Sequence, residues 1–244
     1  MPLTFPSHLA PVLPLKLWFP RWFDGIALAA GSVAPDVAYL ALGTRAELPD
    51  THSLPGLIWW CLPVALVYAW IVRRAASAVA AYLPGRWSAI GGMGKVRHAW
   101  WLTIASALVG AASHLGWDWL THTDGWLQAL FGVDWHEATG IAWWTVSDPL
   151  STVLGAGVVV LVIVRRPDLF MVGEGQRPVR AGRSWLVVVL SFVVGLVVLP
   201  FLPAAGQPAA TGVRLLHLVG CSLLAGVLTE RARRRRRSEF GDSA

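Results

Sequence analysis

The sequence predicts an all-α protein: a polytopic transmembrane helical bundle of six full spans plus a short proline-rich N-terminal helix. Three observations carry this. Hydrophobic residues make up 55% of the 244 residues and charged residues only 14%. A soluble domain carries about 25% charged residues, so this chain lacks the polar surface to coat a water-soluble globule. Apolar stretches of about 20 residues, enough to cross a bilayer as a helix, recur along it. Finally, the 20 Lys and Arg behind the net charge of +6 lie between those stretches. That is the pattern of a membrane protein, not the single basic stripe of a nucleic-acid binder.

The spans are expected at roughly 25–43, 54–72, 100–121, 139–164, 184–203 and 209–228. A further apolar stretch, 3–20, is interrupted by Pro6, Pro11 and Pro14 and is expected as a re-entrant or tilted helix. Those prolines, with no early Lys or Arg, also speak against a cleavable signal peptide. Residues 75–85 and 125–132 are too short to span and are expected at the interface. Residues 1–228 thus read as a single transmembrane domain. From 229, a tail with Arg231 and Arg233 to Arg237 is expected to be disordered, cytoplasmic and attracted to anionic lipid headgroups. Cys61 and Cys221 fall inside apolar stretches, leaving no disulfide framework and no CxxC metal motif. The pairs Trp59-Trp60, Trp100-Trp101 and Trp143-Trp144 sit near expected span ends, as an interfacial aromatic belt does.

The bases orient the bundle. Arg73, Arg74, Arg86, Lys95 and Arg97 share one connection; Arg165, Arg166, Arg177, Arg180 and Arg183 share another. The intervening connections hold Arg45 alone, or no base at all in 122–138. By the positive-inside rule, connections 73–99 and 165–183 and the C-terminus face the cytoplasm, in a multi-pass inner-membrane protein. Loops 44–53 and 122–138 face outward.

Against this apolar background, buried polar groups stand out, because such groups mark function or partner one another. His114, Asp118 and His122 recur at i, i+4 and i+8, one face of a helix. Two imidazoles and a carboxylate there are ligands for zinc or a similar ion. The competing reading is a His–Asp hydrogen bond between helices. On the deduced orientation, Asp36, His52 and His8 also fall on the outer side, so six potential ligands from four segments converge there. Asp148 lies in the outer half of its span, as a further ligand, a general base or an ion-pair partner of Arg214. His217 reads as a helix-packing histidine, and His136 and Glu137 as loop residues at the rim. Trp117 and Trp119 flank Asp118 and suit an aromatic belt or the wall of an apolar pocket.

Several of these motifs resemble those of a known family. They are Thr4-Phe5-Pro6-Ser7-His8-Leu9-Ala10-Pro11-Val12-Leu13-Pro14-Leu15, Gly31-Ser32-Val33-Ala34-Pro35-Asp36, Thr51-His52-Ser53, and Gly110 through Ser113-His114 to Trp117-Asp118. Thr121-His122 and Asp124-Gly125-Trp126 complete them. The pattern resembles the bacterial membrane family catalogued as domain of unknown function 4184, over nearly the whole chain. It is also similar to inner-membrane metal-dependent hydrolases and, more distantly, to zinc-dependent phospholipases C. That resemblance implicates His8, Asp36, His52, His114 and Asp118 in holding metal, with His122 beside them. The chain departs from the hydrolases where Val37 and Ala38 follow Asp36, with no second Asp. It departs again where Leu48, Pro49 and Asp50 replace a His-Arg-Gly before Thr51.

The expectation is a membrane-embedded metal-dependent hydrolase for a lipid or other apolar ester or phosphoester near the outer leaflet. One or two divalent ions, zinc by ligand type, would sit on His8, Asp36, His52, His114 and Asp118. Asp148 or His122 would move the proton. The alternatives are a non-hydrolytic cyclase or isomerase of an isoprenoid or polyketide, and a non-enzymatic membrane protein with structural His/Asp pairs.

Overall fold

Proline decides where the N-terminal helices break. The computed structural model describes residues 5–48, 50–83, 85–170 and 182–241. In it the first apolar stretch is two short helices, α1 (Phe5–Leu9) and α2 (Leu13–Trp18), joined by a 3₁₀ turn at Ala10–Val12. Pro11 and Pro14 withhold the N–H donors that one continuous helix would use. The stretch expected to span at 25–43 is likewise interrupted. Here α3 (Gly25–Val33) stops before Pro35, and the chain continues as a 3₁₀ turn, Pro35–Ala41. The 9 residues of α3 rise about 14 Å, half of the hydrocarbon core of about 30 Å.

After a loop, α4 (Leu54–Gly56) passes through a π-turn at Leu57–Cys61 into α5 (Leu62–Ala80). Pro63 sits at the start of α5 and lacks the donor that would close a normal turn there. Most of the stretch 75–85 therefore belongs to α5 and not to a separate interfacial segment. Next come α6 (Trp100–His122), α7 (Gly125–Phe131), α8 (Trp135–Thr139), α9 (Trp144–Arg165), α10 (Gly182–Val198) and α11 (Pro208–Gly241). Every regular element among the described residues is helical.

Among the described residues, four helical stretches are long and apolar enough to cross a membrane: Leu54–Ala80, Trp144–Arg165, Gly182–Phe201 and Pro208–Arg233. They leave large apolar side chains exposed, among them Val67, Trp70, Val153, Val160, Leu186, Val197 and Val219. The 23-residue α6 has the length but is more polar, carrying His114, Asp118 and His122. α11 does not end with the apolar run near 228, where a disordered tail was expected. It continues as helix to Gly241, in keeping with the good helix propensity of arginine. Arg177, Arg180 and residues 1–4 and 242–244 lie outside the described residues.

The pairing that positions the site is α3 against α6. Both are lined with small residues: Ala27, Ala30, Gly31 and Ala34 on one side, Ser106, Ala107, Gly110 and Ala111 on the other. Small residues let membrane-embedded helices approach closely. A Cβ added at Gly31 would lie 2.1 Å from the Ala107 carbonyl oxygen, and one at Gly110 would lie 2.2 Å from that of Leu28. The two helices run parallel at a fixed offset. Asp24 N–H donates to Ser106 Oγ (2.9 Å) and His114 Nδ1 meets the Ser32 carbonyl (2.8 Å), both pairs 82 residues apart. The same offset sets Leu28 against Gly110 and brings Asp36 level with Asp118.

Candidate metal centre

Each side chain of the site is delivered by a different local device. α6 supplies His114, Asp118 and His122 from one face of one helix. His114 Nδ1 donates to the Ser32 carbonyl, which fixes the tautomer and leaves Nε2 with a lone pair, the usual preparation of a ligating histidine. The break at Pro35 places Asp36 on a 3₁₀ turn, where its Oδ1 lies 3.2 Å from His52 Nε2 and 3.5 Å from His114 Nε2. His52 comes from the loop before α4. There Asp50 adopts a φ of 57°, Ser53 accepts from the Gly56 N–H, and Thr51 Oγ1 lies 3.1 Å from His52 Nδ1. α1 rests on α9 where Ser7 meets Gly155, and its His8 stacks on His114 with ring centroids 3.7 Å apart.

Asp118 is the hub. Its Oδ1 lies 3.5 Å from His8 Nε2 and 3.4 Å from His122 Nδ1. Its Oδ2 lies 3.2 Å from His114 Nε2 and 3.9 Å from His52 Nε2. His122 in turn reaches Asp148, with Nε2 3.4 Å from Oδ2. The start of α9 is tied to the end of α6, whose last carbonyls have no partners within the helix. Trp143 Nε1 donates to Leu120 O (2.8 Å) and Ser147 Oγ to Thr121 O. That contact carries Asp148 to His122.

All seven residues singled out in the sequence therefore meet in one place. Arg214 is elsewhere: its guanidinium donates to the carbonyls of Leu40 and Leu42, so Asp148 is partnered by His122 and not by Arg214. His217 is satisfied by Tyr68 and by the Val213 carbonyl. His136 sits on α8, where Asp134 caps the helix. Cys61 and Cys221 are both free thiols.

The donor set fits a metal ion on two counts. First, His8, His114 and Asp118 form one group, and Asp36, His52 and His114 another, whose ligand atoms all lie within 4.8 Å of one another. Of the N···O separations of 3.2–3.9 Å, the His52–Asp36 contact at 3.2 Å is a hydrogen bond, and the others lie at or beyond the long end of hydrogen-bond lengths. They match the edges, roughly 3.4 Å, of a tetrahedron of ligands at zinc distances. Second, among the described residues no hydrogen bond satisfies His8 Nδ1 or Nε2, His114 Nε2, His122 Nε2 or either Asp148 carboxylate oxygen, although all are buried. Unsatisfied buried polar atoms are rare in native structures and call for a specific reason.

The cluster is unevenly buried. His8, His114 and Asp148 are at most 1% exposed, whereas Asp118, His122 and His52 keep 21–29% of their side chains accessible. A polar cavity of about 340 Å³ lies between the 3₁₀ turn and the loop before α4, lined by Tyr39, Glu47, Asp50, Thr51, His52 and Ser53 among others. A larger apolar cavity of about 440 Å³ runs along α2, α3 and α9. None of the seven residues lines it, whereas His52 lines the polar one.

Two buried charged groups escaped the sequence reading, Asp24 and Glu230, the latter accepting from Ser184 Oγ at 3.2 Å. Asp24, 2% exposed, caps α3 through Ala27 N–H. It also accepts from Thr103 Oγ1 (2.7 Å) and pairs with Arg73. Its position at the edge of an apolar stretch gave it the look of an ordinary helix cap.

No curated protein and no solved structure matches this chain significantly. The model of one family does match, over residues 1–229, and the chain belongs to that family, described as a domain of unknown function (DUF4184).

Proposed function

We propose that the protein is a membrane-embedded metal-dependent hydrolase for a lipid or other apolar ester or phosphoester. The observation that carries this reading is a pair of ligand groups, His8 with His114 and Asp118 and Asp36 with His52 and His114, that share His114, with buried nitrogens of His8 and His114 that no hydrogen bond satisfies. Three imidazoles and two carboxylates suit zinc, and the shared His114 favours a single ion. A divalent ion supplies a Lewis acid that polarises an ester or phosphoester and acidifies water.

The protein's own residues do the rest. His114 holds its lone pair outward because Nδ1 is engaged by Ser32. Asp118 presents both oxygens to the imidazoles around it. His122 Nδ1 lies 3.1 Å from the Asp118 carbonyl. Donation there leaves Nε2 as the basic nitrogen, 3.4 Å from Asp148 Oδ2, so that His122 would take a proton from the attacking water and pass it to the leaving group, with the Asp148 carboxylate beside the charged imidazole. The half-exposed His52 and the 340 Å³ cavity beside it admit the polar part of a substrate, while the apolar tail stays in the bilayer.

The distribution of bases gives the orientation. The connection 73–99 carries Arg73, Arg74, Lys95 and Arg97 at the opposite end of α6 from His122, so in this reading the cluster faces the outer leaflet of the bacterial inner membrane. The C-terminus, with its anionic-lipid-binding arginines, is then cytoplasmic. α6, and α3 extended by its 3₁₀ turn, make the fifth and sixth crossings.

Elemental analysis of the detergent-purified protein tests this directly. Stoichiometric divalent metal is expected in the wild type, with loss in His114→Ala and in Asp118→Asn. A metal-free wild type would sink the proposal. Metal-independent turnover that needs Asp118 or Asp148 would move the protein to acid–base cyclase or isomerase chemistry. Loss of stability alone, without metal or turnover, would reduce the cluster to helix pairing.

A further inference from the structure

The buried ion pair of Asp24 and Arg73 lies at the far end of α3 from the cluster. In a membrane-embedded setting a charge pair is expensive, and two hydroxyl residues are spent on it. Asp24 Oδ2 accepts from Thr103 Oγ1 at 2.7 Å and from Arg73 Nη2. Asp24 N–H donates to Ser106 Oγ at 2.9 Å, and Oδ1 caps Ala27 N–H at 3.3 Å.

The three helices joined at this point are the ones that carry ligands at their other ends. α3 leads into Asp36. α6 carries Thr103 and Ser106 low on the helix and His114 and Asp118 above them. Arg73 sits on α5, whose opposite end leads back through α4 to His52. The Asp24–Ser106 bond has the offset of 82 residues that also pairs Ser32 with His114. Between this point and the Ser32–His114 bond, the interface is packed mostly by Ala and Gly, which allow close approach but supply no polar partner to fix the register.

We infer that the Asp24–Arg73 pair, with Thr103 and Ser106, is a register lock for the candidate metal centre. It sets α3, α5 and α6 so that Asp36, His52 and His114 with Asp118 arrive at one point. These are positioning residues, and the inference rests on the metal reading only for its first readout. A registry role is the best-attested use of a buried polar pair.

Replacing one partner leaves an orphaned charge and destabilises the protein for trivial reasons, so the informative variant removes both: Asp24→Leu/Arg73→Leu. An apolar pair of similar volume restores stability lost by the single variants. The lock predicts that Co²⁺ binding by the full-length protein in detergent does not recover with it. The affinity stays about 10-fold or more below wild type, the scale on which outer supporting residues act, and the visible Co²⁺ spectrum is altered. A double variant that is stable and binds Co²⁺ with wild-type affinity and spectrum overturns the lock. If the wild type binds no Co²⁺, the metal reading fails, and the lock is judged by distance instead. Spin labels at Ala38→Cys and Thr123→Cys, with Cys61 and Cys221 replaced by Ser, should give a narrow distribution in the wild-type background and a broad one in the double variant. Equal distributions overturn it.

Discussion

α3 and α6 run side by side at one offset, yet α3 stops at Val33 while α6 continues unbroken to His122. The continuous helix stacks His114, Asp118 and His122 in a row, and a row cannot surround an ion. The broken segment brings Asp36 in on a 3₁₀ turn, and the irregular loop after it brings His52 back beside Asp36 at 3.2 Å. One helix supplies a straight edge of the site, and the other, by ending early, lets the chain close it. The irregular backbone is supported twice over: Asp36 is buried, and the loop lines the 340 Å³ cavity.

The comparison is broken most severely at the interface. Gly31→Val or Gly110→Val places side-chain atoms where the backbone of the opposite helix already lies, at 2.1 Å and 2.2 Å for the Cβ alone. Backbone cannot swing aside as a flexible side chain can, so α3 and α6 must separate. Each variant is expected to lose about 3 kcal/mol or more of stability, at the upper end of overpacking effects. Denaturant titration in micelles measures this. Variants as stable as wild type would mean that α3 and α6 do not pack at this distance.

A smaller effect separates the two carboxylates. Asp118 approaches His8, His52, His114 and His122, whereas Asp36 approaches His52 and His114 only. Asp118→Asn is therefore expected to weaken Co²⁺ or Zn²⁺ binding by more than the roughly 10- to 100-fold that outer supporting residues contribute, and Asp36→Asn by less than Asp118→Asn. Equilibrium dialysis of the two variants checks the ranking. The reverse order would make the 3₁₀ turn, and not α6, the main support of the site.

The two helices also differed in how well their sequences could be read. The ladder on α6 follows from its spacing of four, whereas Asp36 stands as a lone carboxylate within its apolar run. The expectation that Asp36 and His52 share one side of a membrane rested on the arginines and lysines alone. What could not be read was the register, because Ala and Gly at the interface carry no signal that distinguishes one offset from another. Asp24 was invisible for a related reason: a cap at a segment edge looks solvated until Arg73, 49 residues on, is seen to reach it. The interruption at Pro35 was written in the sequence, but an apolar run long enough to span outweighed a single proline. In the tail, the run of arginines was read for its charge and not for its helix propensity, and α11 runs through it.

The smallest effect belongs to the part of α6 that faces away from α3. Gly116 lies between His114 and Asp118, but a Cβ there meets nothing within 4 Å, in contrast to Gly110 six residues below. Gly116→Ala adds a methyl group to open space and removes a flexible residue from a helix interior. It is expected to leave metal binding unchanged and to raise stability by at most about 1 kcal/mol. Two residues on the same helix, equally small, should thus respond in opposite directions. If Gly116→Ala proved as damaging as Gly110→Val, the helix would tolerate no side chain on either face. The close approach to α3 would then no longer explain why glycine stands at 110.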